Sequence, residues 1–183
     1  NMGASNILKR IHEHRVNIAY TKEQYFNAYY RLLKSYKKKL RQRRVLFNVS
    51  IAIGIVTLSG LLVHLTDNDL KAALMLSTFF SITAIVLSIY LSTLPELKEP
   101  SAYLERAEGF LILYKHIKTL EARIADGCIE NDCDLGTYLD EIENKSKILY
   151  TNPLPMEYED YLDAKKKIQN GNLSYTDEEL QNT

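Results

Sequence analysis

A dense run of positive charge, "KSYKKKLRQRR" at residues 34–44, lies directly before the most apolar part of the sequence. Seven of these eleven residues are Lys or Arg, whereas the next twenty-one residues contain no Asp, Glu, Lys or Arg. Clustered basic side chains attract anionic lipid headgroups, and they keep the flank of a membrane segment in the cytoplasm. This basic run, residues 34–44, therefore predicts a segment at the cytoplasmic surface of a membrane.

Polar side chains recur within the two apolar segments, 45–65 and 72–94. The candidates for lining a pore are Asn48, Ser50, Thr57, His64, Ser77, Ser81, Ser88 and Ser92. The same pattern also suits close helix packing, since small residues let backbones approach and hydroxyl groups bond across helices. The small and hydroxylated residues by themselves favour packing. Asn48 and His64 favour a pore, because a polar group in hydrocarbon is costly unless it has a partner or faces a cavity.

Residue types used in catalysis and metal binding are present, but their spacing is unfavourable. His12 and His14 are two residues apart and would point away from each other on a helix, and His116 stands alone. Cys128 and Cys133 could form a disulfide, but no further Cys or His is placed to complete a zinc site. The sequence has no glycine-rich phosphate loop and no GxSxG motif. We therefore expect no enzymatic activity, no cofactor and no metal.

The two apolar segments are each long enough to cross a bilayer. As an α-helix, residues 45–65 would extend about 31 Å, close to the roughly 30 Å hydrocarbon core. Six polar or mixed residues separate the segments, and Pro95 ends the second one. A pair of buried helices in a soluble domain is less favoured, because such helices rarely run so far without a charge. We predict a transmembrane hairpin over 45–95, with both termini in the cytoplasm because the basic run precedes it.

The remaining sequence predicts amphipathic helices, so the expected fold class is all-α. Residues 1–44 form a basic cytoplasmic helix that continues into the hairpin, and residues 96–170 form a cytoplasmic helical region with helices over 101–125, 137–150 and 155–170. Residues 171–183 are a polar tail. The basic helix carries a net charge of +10 and residues 97–183 carry −8, so we expect the two to pack together. A hairpin buries little by itself, which predicts a helical-bundle oligomer.

The order of these parts resembles the SLATT group of bacterial two-transmembrane effector proteins. A long basic helix, a hairpin with a very short loop and a tail beginning "YLERAEGFLILYKHIKTL" follow one another over about residues 7–164. The most specific part is the helix after the hairpin, with Tyr103, Arg106, Ala107, Phe110 and Tyr114. A weaker similarity is "YLDEIENKSKILYTNPLPMEYEDYLDA", with an Asn-centred turn followed by a tyrosine-rich segment.

This resemblance implies an oligomeric pore in the bacterial inner membrane that acts in anti-phage defence. Such effectors depolarise the infected cell and cause its death, under the control of a nucleotide or oligonucleotide signal made by a partner nucleotidyltransferase. We expect a homo-oligomer in the lipid bilayer, with a tetramer as the simplest guess. The alternative is a non-conducting membrane anchor or scaffold that recruits a cytoplasmic partner.

In such an oligomer, the basic runs of several subunits would form a positive collar below the membrane. Phosphates of the signal would bind Lys and Arg with salt-sensitive affinity, and tyrosine rings could stack on its bases. The candidate ligand-binding residues are Lys37, Lys38, Lys39, Arg41, Arg43, Arg44, Tyr29 and Tyr36. The simpler interpretation, in which the basic run only sets topology and contacts lipid headgroups, stays open.

Overall fold

The structure is a computed structural model that describes residues 2–64, 70–128 and 132–170, with side chains described at 5–59, 74–128 and 134–170. Five α-helices account for most of these residues. They are α1 (Met2–His64), α2 (Leu70–Thr93), α3 (Ser101–Ala125), α4 (Asp132–Tyr150) and α5 (Tyr158–Gln169). No strand occurs in the described ranges, so the all-α fold class is confirmed.

Two helix boundaries differ from the sequence-based prediction. α4 begins at Asp132 rather than at residue 137, because Gly136 does not break the helix and lies within it at a site open enough for a Cβ atom. α5 begins at Tyr158 rather than at residue 155. The backbone N–H of Glu157 donates to the carboxylate of Asp160 at 3.0 Å, which caps the helix there. The predicted polar tail, 171–183, lies outside the described residues.

The chain divides into two compact units. Unit 1 falls within Asn1–Leu32 and Pro100–Thr183, and it contains the first half of α1 together with α3, α4 and α5. Unit 2 is Leu33–Glu99, and it contains the rest of α1 together with α2.

Apolar side chains from α1, α3 and α4 form the core of unit 1. Ile11, Ile18 and Tyr25 of α1 are buried at a spacing of seven residues, as the periodicity of the sequence predicts. Tyr25 stacks on Phe110 of α3, with ring centroids 5.6 Å apart. The buried cluster comprises Ile11, Ile18, Ala19, Tyr25, Ala107, Phe110, Leu113, Tyr114, Ile117, Leu120, Leu139 and Ile142.

Unit 2 contains a helix with the length and composition of a membrane span. The stretch Leu74–Thr93 of α2 has a mean hydropathy of 2.1, and none of its most apolar part is buried, unlike the core helix of a soluble protein. It is the one such helix within the described residues. The other proposed span, 45–65, has described side chains only as far as Ser59, so the two-helix hairpin stays a prediction.

Candidate functional site

The basic run lies on α1 within unit 2 and is largely exposed. Six of its seven charged side chains are exposed, and the seventh, Arg43, is half-buried. Arg43 donates a hydrogen bond to the backbone carbonyl of Pro95, just after α2. Of the two tyrosines predicted to stack on a ligand, Tyr36 is half-buried in unit 2, whereas Tyr29 belongs to unit 1. Most of the positive charge is therefore open to an anionic partner.

Several cations of unit 1 are paired with carboxylates of the same unit. Arg31 lies 2.9 Å from Asp160, and Arg15 lies 2.9 Å from Glu121. Within unit 2, none of the seven basic side chains at 34–44 lies within 4.0 Å of a described carboxylate. The local reason is that residues 33–66 contain no Asp or Glu, so α1 cannot form i,i+4 ion pairs there. The positive charge of the basic run is therefore not neutralised by a described carboxylate of its own unit.

Within unit 2, two opposite faces of α1 differ in exposure. The less exposed positions are separated mainly by three or four residues, which places them on one side of the helix. These positions are Arg43, Leu46, Ser50, Ile53, Gly54 and Thr57. This face of α1 is therefore shielded within unit 2, and Thr57 on it is only 8% exposed.

The predicted pore-lining residues divide between the shielded face and the open surface of unit 2. The shielded or half-shielded ones are Ser50, Thr57, Ser77 and Ser81. The exposed ones are Asn48, Ser88 and Ser92. His64 lies outside the described side chains. This placement favours close packing of α1 on α2 for the first group, and it leaves the second group available for contacts outside the subunit.

Asn48 differs from several hydroxyl groups of unit 2 in its hydrogen bonding, although Ser50 likewise forms no hydrogen bond with a described residue. Thr57 donates to the carbonyl of Ile53 at 2.9 Å, and Ser92 donates to that of Ile89 at 2.8 Å, so these hydroxyls are satisfied within their own helices. The exposed side-chain amide of Asn48 forms no hydrogen bond with a described residue. Because an unsatisfied amide in hydrocarbon costs free energy, Asn48 requires a partner if this segment lies in a membrane.

Polar contacts that the sequence did not predict hold α5 on α1 in unit 1. The side chains of Lys22 and Glu23 are buried, with the Nζ and Oε1 atoms 3.1 Å apart. Lys167 of α5 lies 3.4 Å from the same carboxylate and donates to Asn27 at 2.7 Å. The ammonium of Lys22 also lies 4.9 Å from the centre of the Tyr114 ring, within the range of a cation–π contact. Charged and polar side chains therefore form much of the contact between α5 and α1.

A bidentate ion pair completes the contact between α1 and α5. Arg31 donates to the two carboxylate oxygens of Asp160 at 3.1 and 2.9 Å. Burial acts to raise the pKa of Asp160, but the hydrogen bonds from Arg31 and from the backbone of Glu157, with the charge of Arg31, hold that pKa below its usual value. The hydrogen bond to Asp160 raises the pKa of Arg31.

Replacing Asp160 with asparagine is expected to lower the free energy of unfolding by about 2–3 kcal/mol at neutral pH. The pKa of Asp160 is lower in the folded state than in the unfolded state, where it is near 4. The ionised carboxylate therefore stabilises the fold fully above the unfolded-state pKa, and this stabilisation is lost as pH falls through the lower folded-state pKa. The difference between wild type and Asp160→Asn should therefore shrink below about pH 4. Urea titrations of both proteins at pH 7 and pH 3 measure it, and a pH-independent difference would contradict the assignment.

Residues of α3 that carry the SLATT resemblance have structural roles in unit 1. Phe110 lies in the core. The Tyr103 hydroxyl donates to the carbonyl of Pro155 at 2.7 Å, and Arg106 donates to the carbonyl of Leu149 near the end of α4. The motif thus attaches the segment between α4 and α5 to α3.

Comparison of the chain with protein-family models, with curated proteins and with solved structures finds no match. Membership of the SLATT group therefore stays a prediction.

Groups able to perform chemistry are dispersed over the described part of the chain. No three His, Cys, Asp or Glu side chains there are placed to hold a metal ion. Cys128 is exposed and free, and the side chain of Cys133 lies outside the described residues.

A groove of about 730 Å³ in unit 1 is lined by residues of α1, α4 and Tyr161 of α5. In it, His14 Nε2 lies 3.5 Å from a Glu143 oxygen, a surface ion pair when the histidine is protonated.

Proposed function

We propose that this chain is a homo-oligomeric pore-forming effector of the bacterial inner membrane. The observation that carries the proposal is α2, whose apolar stretch Leu74–Thr93 is long enough to cross a bilayer and is not buried by the rest of the chain. Exposed apolar surface costs about 25 cal/mol per Å² in water, and a bilayer removes that cost. In this proposal residues 45–65 form the second span of a hairpin with α2.

The charge of the basic run supports a cytoplasmic location for both termini. The seven cations lie directly before the first proposed span and have no described carboxylate partner within unit 2. Short flanks rich in Lys and Arg stay on the cytoplasmic side, where anionic headgroups neutralise them. The connecting loop then lies on the outer side.

Pore formation and its control follow from the resemblance to the SLATT group. A single hairpin cannot enclose a water-filled path, so conduction requires several copies, for which we propose a tetramer. The proposed signal is a nucleotide or oligonucleotide from a partner nucleotidyltransferase, and its phosphates bind the exposed cations of the basic run. In anti-phage defence, opening of the pore depolarises the infected cell and kills it.

A non-conducting anchor or scaffold is the second candidate function. Unit 1 exposes two large apolar side chains, Ile112 on α3 and Ile148 on α4, at 69% and 71%. Such a surface suits the recruitment of a cytoplasmic protein.

Membrane potential separates the two functions. The chain is expressed in bacteria, and the potential is followed with a voltage-sensitive dye. The purified chain is tested in parallel for ion flux in liposomes, with and without cyclic oligonucleotides. A pore should collapse the potential or conduct once a signal is added. A non-conducting anchor should neither collapse the potential nor conduct ions, although it is present in the membrane at the level expected of a pore.

Binding of the signal is tested on the purified chain in nanodiscs with a labelled cyclic oligonucleotide. We expect Lys37→Gln, Lys38→Gln and Lys39→Gln together to weaken binding and to flatten its dependence on salt. The same change at Lys115, Lys118 and Lys165, three exposed lysines of unit 1, removes equal charge and serves as the control. Unchanged binding and salt dependence in the first variant would exclude the basic run as the ligand site.

A further inference from the structure

A second seam of residues runs along α1 opposite the face that is shielded within unit 2. We propose that this seam faces the axis of the homo-oligomer and makes the pore selective for anions, an inference that rests on the proposed function. We call it the axial seam, and it consists of Lys34, Lys38, Arg41, Val45, Asn48, Ala52, Ile55 and Ser59.

The spacing of the axial seam is that of a helix–helix contact. Its members alternate between four and three residues apart, which is the repeat of the contact positions in a coiled coil. At about 100° per residue, they lie opposite the face that contains Leu46, Ser50 and Thr57. All eight positions are exposed, whereas that opposite face is shielded in unit 2. One side of α1 is therefore shielded within unit 2, and the other side is open.

The occupant that fits the axial seam is a second copy of the same chain. Asn48 has an amide without a hydrogen-bond partner among the described residues, and an amide both donates and accepts. Asparagines related by a symmetry axis can therefore satisfy one another, and a single asparagine in an apolar seam fixes register and oligomer state. Ala52, one turn further on, is small and leaves room along the axis between the copies.

The charges of the axial seam indicate which ions would pass. Lys34, Lys38 and Arg41 precede the apolar part of the seam, where water can reach them, and they have no described carboxylate partner. Several copies around an axis would bring these cations together, and their repulsion is relieved by mobile anions. Rings of Lys and Arg select anions in pores. The outward residues of α2, such as Ile82 and Ile85, are apolar and suit contact with lipid.

Disulfide cross-linking in membranes tests the position of the axial seam. Ala52→Cys and Ile51→Cys are made separately in a chain with Cys128→Ser and Cys133→Ser. The two sites are adjacent, equally deep and both exposed, but only Ala52 belongs to the seam. We expect oxidation to give covalent dimers at least about fivefold more efficiently from Ala52→Cys. Equal or more efficient cross-linking from Ile51→Cys would overturn the assignment of this face.

Permeability measurements test the selectivity. Current through the full chain in planar bilayers is recorded under a KCl gradient, and the reversal potential gives the chloride-to-potassium permeability ratio. Arg41→Glu should lower this ratio roughly tenfold, because it reverses a charge at the mouth of the pore. Lys98→Glu makes the same change of charge at an exposed position of unit 2 that lies outside both the seam and the basic run, and it should alter the ratio less than about twofold.

The outcomes separate this inference from the proposed function. Anion-selective currents, with a larger effect of Arg41→Glu than of Lys98→Glu, support both. Currents that favour cations, or equal effects of the two substitutions, overturn the inference and leave the pore intact. An absence of current at verified reconstitution, with and without signal nucleotides, overturns the proposed function and the selectivity together.

Discussion

Replacing Glu23 with alanine is expected to lower the free energy of unfolding by about 3–5 kcal/mol. The substitution removes the carboxylate 3.1 Å from the ammonium of Lys22, a side chain with 0% exposure. It also removes a contact of Lys167, which lies 3.4 Å from that carboxylate and holds α5 on α1. A buried cation that loses its counter-charge keeps the cost of its desolvation. Thermal unfolding of the full chain in detergent, followed by circular dichroism, measures the change.

Lys22→Met is the matched control for Glu23→Ala. Methionine occupies a volume similar to that of the lysine stem, and Glu23 keeps its contact with Lys167, so the expected loss is below about 1.5 kcal/mol. Replacing buried charges with apolar side chains of similar size is often close to neutral. Equal losses from the two substitutions would show that Lys22 stabilises the fold by its own charge, contrary to the expectation.

Introducing two arginines into α2, as Ile82→Arg with Ile85→Arg, is expected to remove most of the chain from the membrane fraction. Both isoleucines are exposed, at 57% and 59%, in the middle of the apolar stretch. Each arginine at the centre of a bilayer costs about 2.5–3.5 kcal/mol on insertion scales. Carbonate extraction of bacterial membranes, followed by immunoblotting, gives the membrane-bound fraction.

The control for this change is Ile112→Arg with Ile148→Arg in unit 1. These two isoleucines are also highly exposed, so the control adds the same charge to a surface proposed to lie in the cytoplasm. The membrane-bound fraction of the control should equal that of the wild type. A similar loss in both variants would indicate general misfolding. No loss in either would argue against α2 as a membrane span.

Helix positions and the apolar stretch of α2 could be predicted from the sequence, because both depend on local patterns. Ile11, Ile18 and Tyr25 recur at a spacing that keeps them on one face of α1, and all three are buried. The uncharged segment 72–94 predicts a long apolar helix, and α2 covers it from Leu70 to Thr93. The start of α4 was predicted wrongly because a glycine is tolerated inside a helix when neighbouring turns supply its stability.

The burial of Lys22 could not be predicted, since a lysine is usually exposed. Its spacing of four and three residues from Ile18 and Tyr25 places it in the apolar stripe, which was the available signal. A charged lysine can occupy this position in the apolar stripe because its ammonium group lies close to Glu23 and to the ring of Tyr114 on α3. Contacts between elements far apart in the chain carry no local signature.

The difference in exposure between the two faces of α1 in unit 2 also could not be predicted from the sequence. Asn48, Ser50 and Thr57 look alike in the sequence, as polar residues within an apolar segment. That segment's length and lack of charge already predict a membrane helix, because the cost of burying charge in hydrocarbon depends on composition alone. The tertiary structure separates the three residues, since Ser50 and Thr57 are shielded within unit 2 and the amide of Asn48 is open. Shielding by other parts of the fold carries no local signature in the sequence, and an open amide in hydrocarbon requires another molecule as its partner.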